Sequence, residues 1–313
     1  KDITDPTTDK VKEIEHRGYA VGLKLLRAKV RHLGTEENLR IMTEMQETLK
    51  EHIDIQFNTE VEDIIVEDNT IKGIKLAKGD IITASKVLLA PGRDGATWLD
   101  AIFKKHGLDL YNNQVDIGVR VETSNIVMDE INKNLYEGKF IYNTSVGTRV
   151  RTFCSNPSGH VVIENHEGTM MANGHAYHDP KLGSDNTNFA LLVSKNFTKP
   201  FKEPIQYGKH IAQLSNMLCD GKILVQRFGD FVRGRRTTEE RLVRNNITPT
   251  LKDAVPGDLS LVFPYRIMKD IEEMIYALDE VTPGMASDET LLYGVEVKFY
   301  SNKILTNKDF ETN

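Results

Sequence analysis

The stretch from Ile53 to Arg93 constrains the fold of this chain more than any other part of the sequence. Apolar and polar residues alternate in EVEDIIVED and in TIKGIKLA, which predicts two half-buried strands. Each is followed by turn-forming residues, first Asp68-Asn69 and then Lys78-Gly79-Asp80, so we expect a meander after a short strand near Ile53. The apolar run KVLLA, closed by Pro91-Gly92, is typical of a parallel strand buried on both faces. A meander beside such a strand indicates an α/β core.

Composition restricts the class of protein. The chain has 313 residues, is 39% hydrophobic and 27% charged, and carries a formal net charge of −6. These values are ordinary for a globular chain of two domains and mark no nucleic-acid surface. No apolar run approaches the roughly 18 residues that a membrane span needs. The only cysteines, Cys154 and Cys219, indicate a reducing, cytoplasmic compartment, and neither has the spacing of a metal ligand.

Helical spacing predicts two helices before the meander. Residues 7–27 form the first, with an apolar face of Val11, Ile14, Val21 and Leu25. The second begins near Thr35 and has an apolar stripe of Leu39, Met42, Met45 and Leu49. The loop between them contains His32 and Gly34 and ends at a helix start, where unpaired backbone N–H groups suit an anion. A capped loop without a ligand is the alternative, since most helix starts look like this.

The rest of the chain mixes short strands with helices. Residues 94–107 predict an amphipathic crossover helix whose inward face is Trp98, Leu99, Ile102 and Phe103. From Val115, the short segments VDIGVRVET, KFIYNT, TRVRTFCSN, HVVIEN, GTMMANG and TNFALLVSKN are separated by Gly, Asn or Pro, which favours a mostly antiparallel sheet. Helices are expected at 203–221, 237–244 and 264–280, and two strands in TLLYGVEVKFYSNKIL. The predicted fold class is therefore α/β combined with α+β.

Four segments are richer in polar and special residues than a core requires. They are TFCSNP with Cys154 and Asn156, MANGH with His175, RGRRTT with Arg233, Arg235 and Arg236, and FPYR at a helix start. Arginines beside a helix N-terminus suit phosphate or carboxylate, whereas a solvated arginine face is the plainer interpretation. Cys154 is either a reactive thiol or a small buried hydrophobe. His175 and His32 are either acid–base groups or merely hydrogen-bonded histidines.

Several segments together resemble a known family, although GxGxxG, P-loop, HExxH, GxSxG and CxxC motifs are absent. The segments are RHLGT, VLLAPGRDG, TFCSNP, MANGH, TNFALLVS, GRRTTEERL, PGDLSLVFP and LLYGVEVKFYS. They resemble the bacterial FAD-dependent dehydrogenases, a branch of the glutathione-reductase-like flavoproteins, over nearly the whole chain. The resemblance implies a Rossmann-like FAD/NAD(P)-binding domain that carries the meander, with an inserted, mostly antiparallel β substrate domain that also has helices.

The resemblance also implies where FAD lies. The main chain of Val61 pairs with adenine, and Ala90, Pro91, Gly92 and Arg93 pass close to the cofactor. Gly92 suits a close approach because it has no Cβ, whereas Pro91 stands where the family pattern has Thr and lacks a backbone donor. Polar loop character, not the resemblance, adds His32, Gly34, Cys154, Asn156, His175 and Arg235 as candidates for the flavin-facing side of the substrate domain.

Two parts of the family pattern are missing from the sequence. The first βαβ unit, whose glycines would cradle the FAD pyrophosphate, is absent, and so is the final Gly-Asp segment. We therefore expect an internal fragment with an FAD-binding remnant at 1–110, a substrate domain at 111–287 and return strands at 288–313. Such a fragment should bind FAD weakly or not at all. It should also expose apolar sheet surface and self-associate.

Two functional hypotheses follow. The first is an FAD-dependent oxidoreductase that transfers hydride between an organic substrate and flavin, with NAD(P) or another electron carrier as partner and with no nucleic-acid, membrane or metal partner. The second is a non-catalytic module without flavin that binds an anion through Arg233, Arg235 and Arg236. Under either hypothesis, Gly34, Thr35 and Asn156 are further candidates for substrate or anion contacts.

Overall fold

The computed structural model describes residues 5–29, 35–92, 95–108, 110–111, 113–135, 137–201, 203–300 and 303–312. The helices found in them are α1 (Asp9–Ala20), α2 (Thr35–Lys50), α3 (Ala96–Lys105), α4 (Asn125–Leu135), α5 (Pro204–Leu218), α6 (Phe228–Val232), α7 (Glu239–Val243) and α8 (Tyr265–Asp279). Single 3-10 turns lie at Pro180–Leu182 and Leu259–Leu261. None of these described helices has both the length and the apolar character to cross a membrane.

The described strands vary in length from two to ten residues. They are β1 (Leu23–Leu26), β2 (Val61–Glu67), β3 (Thr70–Leu76), β4 (Ile81–Thr83), β5 (Leu110–Tyr111), β6 (Val115–Ser124), β7 (Lys139–Asn143), β8 (Arg149–Asn156), β9 (His160–His166), β10 (Thr169–His175), β11 (Asn186–Lys195), β12 (Leu224–Arg227), β13 (Val255–Pro256), β14 (Leu291–Lys298) and β15 (Lys303–Ile304). The fold is thus a mixed α/β arrangement.

The chain divides into two compact units, which we call the sheet unit and the meander unit. The sheet unit comprises Lys1–Arg40, Val115–Asn196 and Ile205–Lys298, and the meander unit comprises Ile41–Gln114, Phe197–Pro204 and Phe299–Asn313. This grouping differs from the predicted boundaries at 110 and 287. α1 and β1 belong to the sheet unit because β1 pairs with β7, and β14 belongs to it because β14 pairs with β6 and β12.

The sheet unit is built on one eight-stranded sheet with the order β1-β7-β8-β11-β6-β14-β12-β13. Neighbouring strands are antiparallel except β12 and β13, which are parallel. The longest pairing joins β11 to β6, with Leu191 opposite Val119. β6 is buried along almost its whole length, because it lies in the middle of the sheet. The sheet is therefore mixed and mostly antiparallel, as the strand spacing predicted.

Other elements cover this sheet and enclose its core. β9 and β10 form an antiparallel hairpin that lies against β14 and contacts β6, β8 and β11. An apolar cluster joins the hairpin to the sheet: Val161, Ala172, Ile223, Val225, Ile247, Leu291 and Tyr293. α8 packs against β6, β8 and β11, and α4 packs against β6 and β11. The hairpin thus closes over central strands of the sheet.

The meander unit contains the antiparallel sheet β2-β3-β4 and the short pair β5–β15. The first turn has positive φ at Asp68 and Asn69, 50° and 56°, as their residue types predicted. α3 packs on the meander through a buried cluster of Ile64, Leu99, Ile102 and Phe103. Trp98 adds a hydrogen bond from its Nε1 to the Glu62 carbonyl at 3.0 Å. The meander, its first turn and the inward face of α3 are confirmed.

Two strands predicted within the opening stretch are not formed. Residues 53–60 and 84–92 have no strand structure, and the Leu88 side chain is 90% exposed. A strand buried on both faces needs neighbours that satisfy its backbone groups, and no described strand pairs with KVLLA. The prediction of a buried strand there is wrong for this structure.

The first predicted helix, residues 7–27, is two elements. α1 ends at Ala20, Gly22 has φ of +80°, and β1 follows at once. The positive φ reverses the chain where helical spacing alone predicted continuation. α4, α6, β12 and β13 were not predicted. α4 follows β6 without a Gly or Pro break, and its start is marked by Ser124, whose Oγ accepts from the Ile126 N–H at 3.2 Å.

Candidate functional site

The fully buried guanidinium of Arg120, in the middle of β6, organises the polar centre of the sheet unit. Its Nε donates to Asn188 Oδ1 at 2.8 Å and its Nη2 donates to the Cys154 carbonyl at 2.7 Å. Its Nη1 donates to Glu296 at 3.4 Å, a longer contact that is also an ion pair. These bonds reach β11, β8 and β14, so one side chain ties three strands to β6. We call Arg120, Cys154, Asn156, Gly174, Asn188 and Glu296 the Arg120 cluster.

Cys154 lies at an irregularity near the end of β8. Its φ is +50°, and the register between β8 and β11 shifts between Asn188 and Ala190. Such a bulge turns a backbone carbonyl out of the regular ladder. Here the freed Cys154 carbonyl accepts from Arg120 and also from Asn156 Nδ2 at 3.2 Å. The segment TFCSNP is thus held in place by polar contacts to its main chain.

The hairpin segment MANGH reaches the same guanidinium from another element. A Cβ built on Gly174 would lie 1.8 Å from Arg120 Nη2, so β10 can pass here only without a side chain. Asn173 supports this part of β10, since its Oδ1 accepts from the Gly174 N–H at 2.8 Å and its Nδ2 donates to Glu164 at 2.6 Å. Lys298 lies between acidic groups, 3.2 Å from Glu296 and 3.7 Å from Glu164. The segments TFCSNP and MANGH therefore converge on Arg120.

The Arg120 cluster retains unused hydrogen-bonding capacity. Asn188 Nδ2 is buried and finds no hydrogen-bond partner within the described part of the chain, and the same holds for the Oγ of Ser155, which follows Cys154 in β8. The amide orientation of Asn188 is fixed, because its Oδ1 accepts from both Arg120 and Asn156. Glu296 Oε1 is also without a hydrogen bond among the described residues, although it forms the ion pair with Lys298. Buried polar atoms without partners are uncommon, and they mark places where water or a ligand completes a network.

A second buried group, Glu122 with Tyr293 and Thr250, lies beside the Arg120 cluster. Glu122 is two residues along β6 from Arg120. Tyr293, on the neighbouring strand β14, lies opposite Arg120. The fully buried Glu122 carboxylate accepts from the Tyr293 hydroxyl and from the Thr250 Oγ1. Burial, together with the charge of Glu122, raises the pKa of Tyr293 well above its ordinary value of 10.0. Tyr293 is thus held as a neutral donor.

Removing the Tyr293 hydroxyl should weaken the fold and change its response to alkali. Because the folded pKa is raised, the stability from this group is fully present below pH 10 and is lost as the pH rises through the folded pKa. Tyr293→Phe should therefore cost about 1–3 kcal/mol at pH 7, from a carboxylate left short of a donor. Between pH 7 and pH 11, urea unfolding should show that Tyr293→Phe loses less of its unfolding free energy than the wild type does. Tyr265→Phe, at an exposed position, is the control. If both variants lost the same unfolding free energy at pH 7, the role assigned to the Tyr293 hydroxyl would be contradicted.

His175 is the last residue of β10, next to the Arg120 cluster. Its ring lies 4.3 Å from the Tyr177 ring in an edge arrangement, and Tyr177 in turn lies 5.7 Å from His160. His160 Nε2 is 2.9 Å from the Leu182 carbonyl, which fixes that ring. His175 is only partly buried. The structure therefore brings three predicted residues, Cys154, Asn156 and His175, to one region.

The predicted arginine site is occupied by the protein's own carboxylates. Arg235 Nε donates at 2.6 Å to the fully buried Asp230, and Arg233 donates at 2.8 Å to Asp288. Arg236 donates to the Pro256 carbonyl at 3.4 Å. The Asp230 carboxylate also accepts from Thr237 Oγ1 at 2.9 Å. Two of the three guanidinium groups are thus paired with carboxylates, and the third contacts a backbone carbonyl. These arginines are not among the contacts of the Arg120 cluster.

The residues assigned to FAD by resemblance lie in the meander unit. β2 is an edge strand of the described meander, so the outer main-chain edge at Val61 is available to an adenine ring. Gly92 has φ of +69° with open space where a Cβ would be, and Ala90 and Pro91 precede it outside any strand. These residues fit the adenine end of FAD, while the sequence has no glycine-rich turn for the pyrophosphate. His32, Gly34 and Arg93 lie outside the described residues, and Thr35 is the first residue of α2.

Sequence reasoning missed the charged residues at the centre of the site. The charged ones are Arg120, Glu122 and Glu296, and the neutral polar residues Asn188 and Tyr293 were missed with them. A signal was present, because the charges in VDIGVRVET and LLYGVEVK interrupt apolar strands of the kind that are buried. No group of three or more potential metal-ligating side chains occurs in the portion that the structure describes. Cys219 is buried, and burial raises the pKa of its thiol, which is the behaviour of a packing residue.

The polar site thus lies in a mixed α/β domain whose hairpin closes over the central strands of a large sheet. The family described as FAD-dependent protein, C-terminal domain-like, matches residues 114–299. The match covers more than half of the chain, and this chain belongs to that family. It takes in every strand of the eight-stranded sheet except β1, together with the hairpin and the whole Arg120 cluster. A search of curated proteins finds no match.

Proposed function

We propose that this chain provides the substrate side of an FAD-dependent oxidoreductase, in which hydride passes between an organic substrate and flavin. The observation that carries the proposal is the convergence of TFCSNP and MANGH on Arg120, inside the region that matches the FAD-dependent family. FAD, when bound, supplies the hydride acceptor or donor. The protein's own residues position the substrate, and NAD(P) or another electron carrier is the proposed second partner.

The site favours a substrate with polar atoms. Asn188 Nδ2 is a donor without a partner among the described residues, and Ser155 Oγ can donate or accept. A carbonyl or hydroxyl group of a substrate, or a water that bridges to it, would complete these contacts. His175 is the candidate acid–base group, since it is partly exposed at the end of β10 beside Gly174. Cys154, whose carbonyl contacts Arg120, is also partly exposed.

Flavin binding tests the proposal. The 313-residue chain should bind added FAD weakly or not at all, because its sequence has no GxGxxG turn to cradle the pyrophosphate. Titration of FAD at micromolar concentration, followed by flavin fluorescence, should therefore not saturate. Protein expressed from the complete reading frame, if that frame supplies GxGxxG, should instead show a flavin spectrum near one FAD per chain.

Substrate turnover completes this test. In a flavin-loaded protein, anaerobic flavin reduction by a screened substrate should slow in Asn156→Ala and His175→Ala, while a surface variant such as Ile126→Ala, on α4, should not change it. A loaded protein in which both site variants reduce flavin at the wild-type rate would contradict the assignment of the substrate side. A complete protein that carries GxGxxG and no flavin would contradict the oxidoreductase proposal itself.

The anion-binding alternative receives less support from the geometry. Arg235 and Arg233 already face Asp230 and Asp288, so an added anion would have to compete with carboxylates at 2.6 and 2.8 Å. Arg236 is exposed and keeps a contact only to a backbone carbonyl among the residues described. A thermal shift with millimolar phosphate that disappears in Arg236→Ala would revive this hypothesis.

We also propose that the chain self-associates through the exposed stripe of α2. Met42 and Met45 project from this helix with 62% and 54% of their surfaces exposed, and Leu49 continues the same line. A continuous apolar stripe of this kind on a helix drives association. Light scattering should show a mass that rises with concentration, and Met45→Lys should reduce the rise. Ile126→Lys, an equally apolar exposed position on α4, is the control; a constant monomer mass would end this proposal.

A further inference from the structure

Arg120 uses each of its three nitrogens on a different strand. Nε donates to Asn188 on β11, Nη2 donates to the Cys154 carbonyl on β8, and Nη1 donates to Glu296 on β14. A planar guanidinium can make such divergent bonds at once, whereas a lysine ammonium cannot reproduce their directions. The side chain is fully buried, so these bonds are not in competition with bulk water.

The same guanidinium limits where the hairpin can lie. The 1.8 Å approach of a built Cβ on Gly174 to Nη2 shows that β10 rests directly on Arg120. From Gly174 the contacts return to the sheet through Asn173, Glu164 and Lys298, ending at Glu296, the partner of Arg120. The contacts therefore form a closed ring that joins the hairpin to β6 and β14.

We propose that Arg120 is a positioning residue of the candidate site. Its guanidinium sets the main-chain positions of Cys154 and Gly174, and thereby the placement of Asn156 and His175, which follow them in the chain. The inference depends on the proposed function only where it assigns Asn156 and His175 to the substrate side. The positioning itself can be measured without flavin or substrate.

The Cys154 thiol can serve as a probe of the main chain around it. The chain has two cysteines, so in a Cys219→Ser background Cys154 is the single thiol and can be labelled selectively. Its labelling rate with a disulfide reagent, and the 19F signal of a trifluoroethylthio label, both measure how TFCSNP is held. Loss of a charged hydrogen bond corresponds to about a tenfold change in a local equilibrium. We therefore expect Arg120→Ala and Arg120→Lys to label about tenfold faster and to shift and broaden the 19F line.

Two controls separate positioning from general destabilisation. Ile271→Ala, in the buried face of α8, lowers stability at a residue that is not part of the Arg120 cluster and should leave the labelling rate and the 19F line unchanged under native conditions. In Arg120→Ala, a few millimolar guanidinium ion, far below denaturing concentration, should restore the wild-type Cys154 labelling rate and 19F line. Methylammonium should restore neither. If Arg120→Ala does not fold, Arg120→Lys carries the same comparison.

A double-mutant cycle tests the contact with the hairpin. Gly174→Ala should accelerate Cys154 labelling in the wild-type background, because the new methyl group displaces Arg120. In Arg120→Ala the guanidinium is gone, and Asn188 Oδ1, 2.3 Å from the built Cβ, belongs to a side chain that can turn aside once Arg120 no longer holds it. The same substitution should therefore add less in that background, and the two effects should be non-additive. Additive effects, or a wild-type labelling rate and 19F line in Arg120→Lys, would overturn the proposal. Neither result would bear on flavin binding, so the failure of this inference and of the proposed function remain distinguishable.

Discussion

Asp230→Ala should lower the free energy of unfolding of the sheet unit by about 3 kcal/mol, because it removes a fully buried carboxylate that accepts both a buried hydroxyl bond and a charged hydrogen bond. The carboxylate is fully buried and accepts from Arg235 Nε at 2.6 Å and Thr237 Oγ1 at 2.9 Å. Arg227 and Arg241 approach it more distantly, both at 3.8 Å. Its removal leaves a hydroxyl without its acceptor and several guanidinium groups without their nearest carboxylate.

Two further variants show whether the buried location of Asp230 is the cause. Asp288→Ala removes the carboxylate that pairs with Arg233, but both partners are about half exposed, so the urea midpoint should hardly change. Asp230→Asn keeps an acceptor for Thr237 and should lose less stability than Asp230→Ala. Urea unfolding followed by circular dichroism gives all three values. An Asp288→Ala loss as large as that of Asp230→Ala would show that exposure does not decide the effect.

Local patterns predicted the elements that depend on local interactions. The meander followed from alternation and from turn residues within Ile53–Arg93, and α3 followed from apolar spacing. The strand at KVLLA failed because a strand buried on both faces depends on neighbours elsewhere in the chain, and none of the described strands pairs with it. α1 was predicted too long because Gly22 ends it through backbone conformation, which apolar spacing does not report.

The candidate site was only half visible in the sequence for a similar reason. Cys154, Asn156 and His175 were chosen because they stand in short polar segments. Arg120, which joins the segments, has partners 34, 68 and 176 residues away, and no sequence window brings such positions together. The arginine segment shows the converse: Arg233 and Arg235 formed a convincing local cluster, but Asp288 lies 55 residues from Arg233. The partner of Arg235, Asp230, is only five residues away, but nothing in the local pattern shows that its carboxylate is buried and turned toward the arginine.

Gly118→Ala should destabilise the sheet unit by about 3 kcal/mol or more, the upper range for forcing an atom into a packed interior. Gly118 lies on β6, opposite Leu192 of β11. A Cβ there would be 1.8 Å from the Leu191 carbonyl oxygen, which is main chain and cannot rotate away as a side chain could. The strands would have to separate where the sheet is most deeply buried, and the hydrogen bond from Arg120 to Asn188 crosses the same pair of strands.

The control for Gly118→Ala isolates steric approach from backbone conformation. Gly147 has φ of +76° in the turn between β7 and β8, with no atom within 4 Å of a built Cβ. Gly147→Ala should therefore cost only the roughly 1 kcal/mol of a left-handed alanine. Circular dichroism and Cys154 labelling should both change in Gly118→Ala, because a shift between β6 and β11 also moves Arg120 away from Asn188. A soluble Gly118→Ala protein with the wild-type midpoint would mean that these two strands can separate at little cost, and the rigid frame inferred around Arg120 would lose its basis.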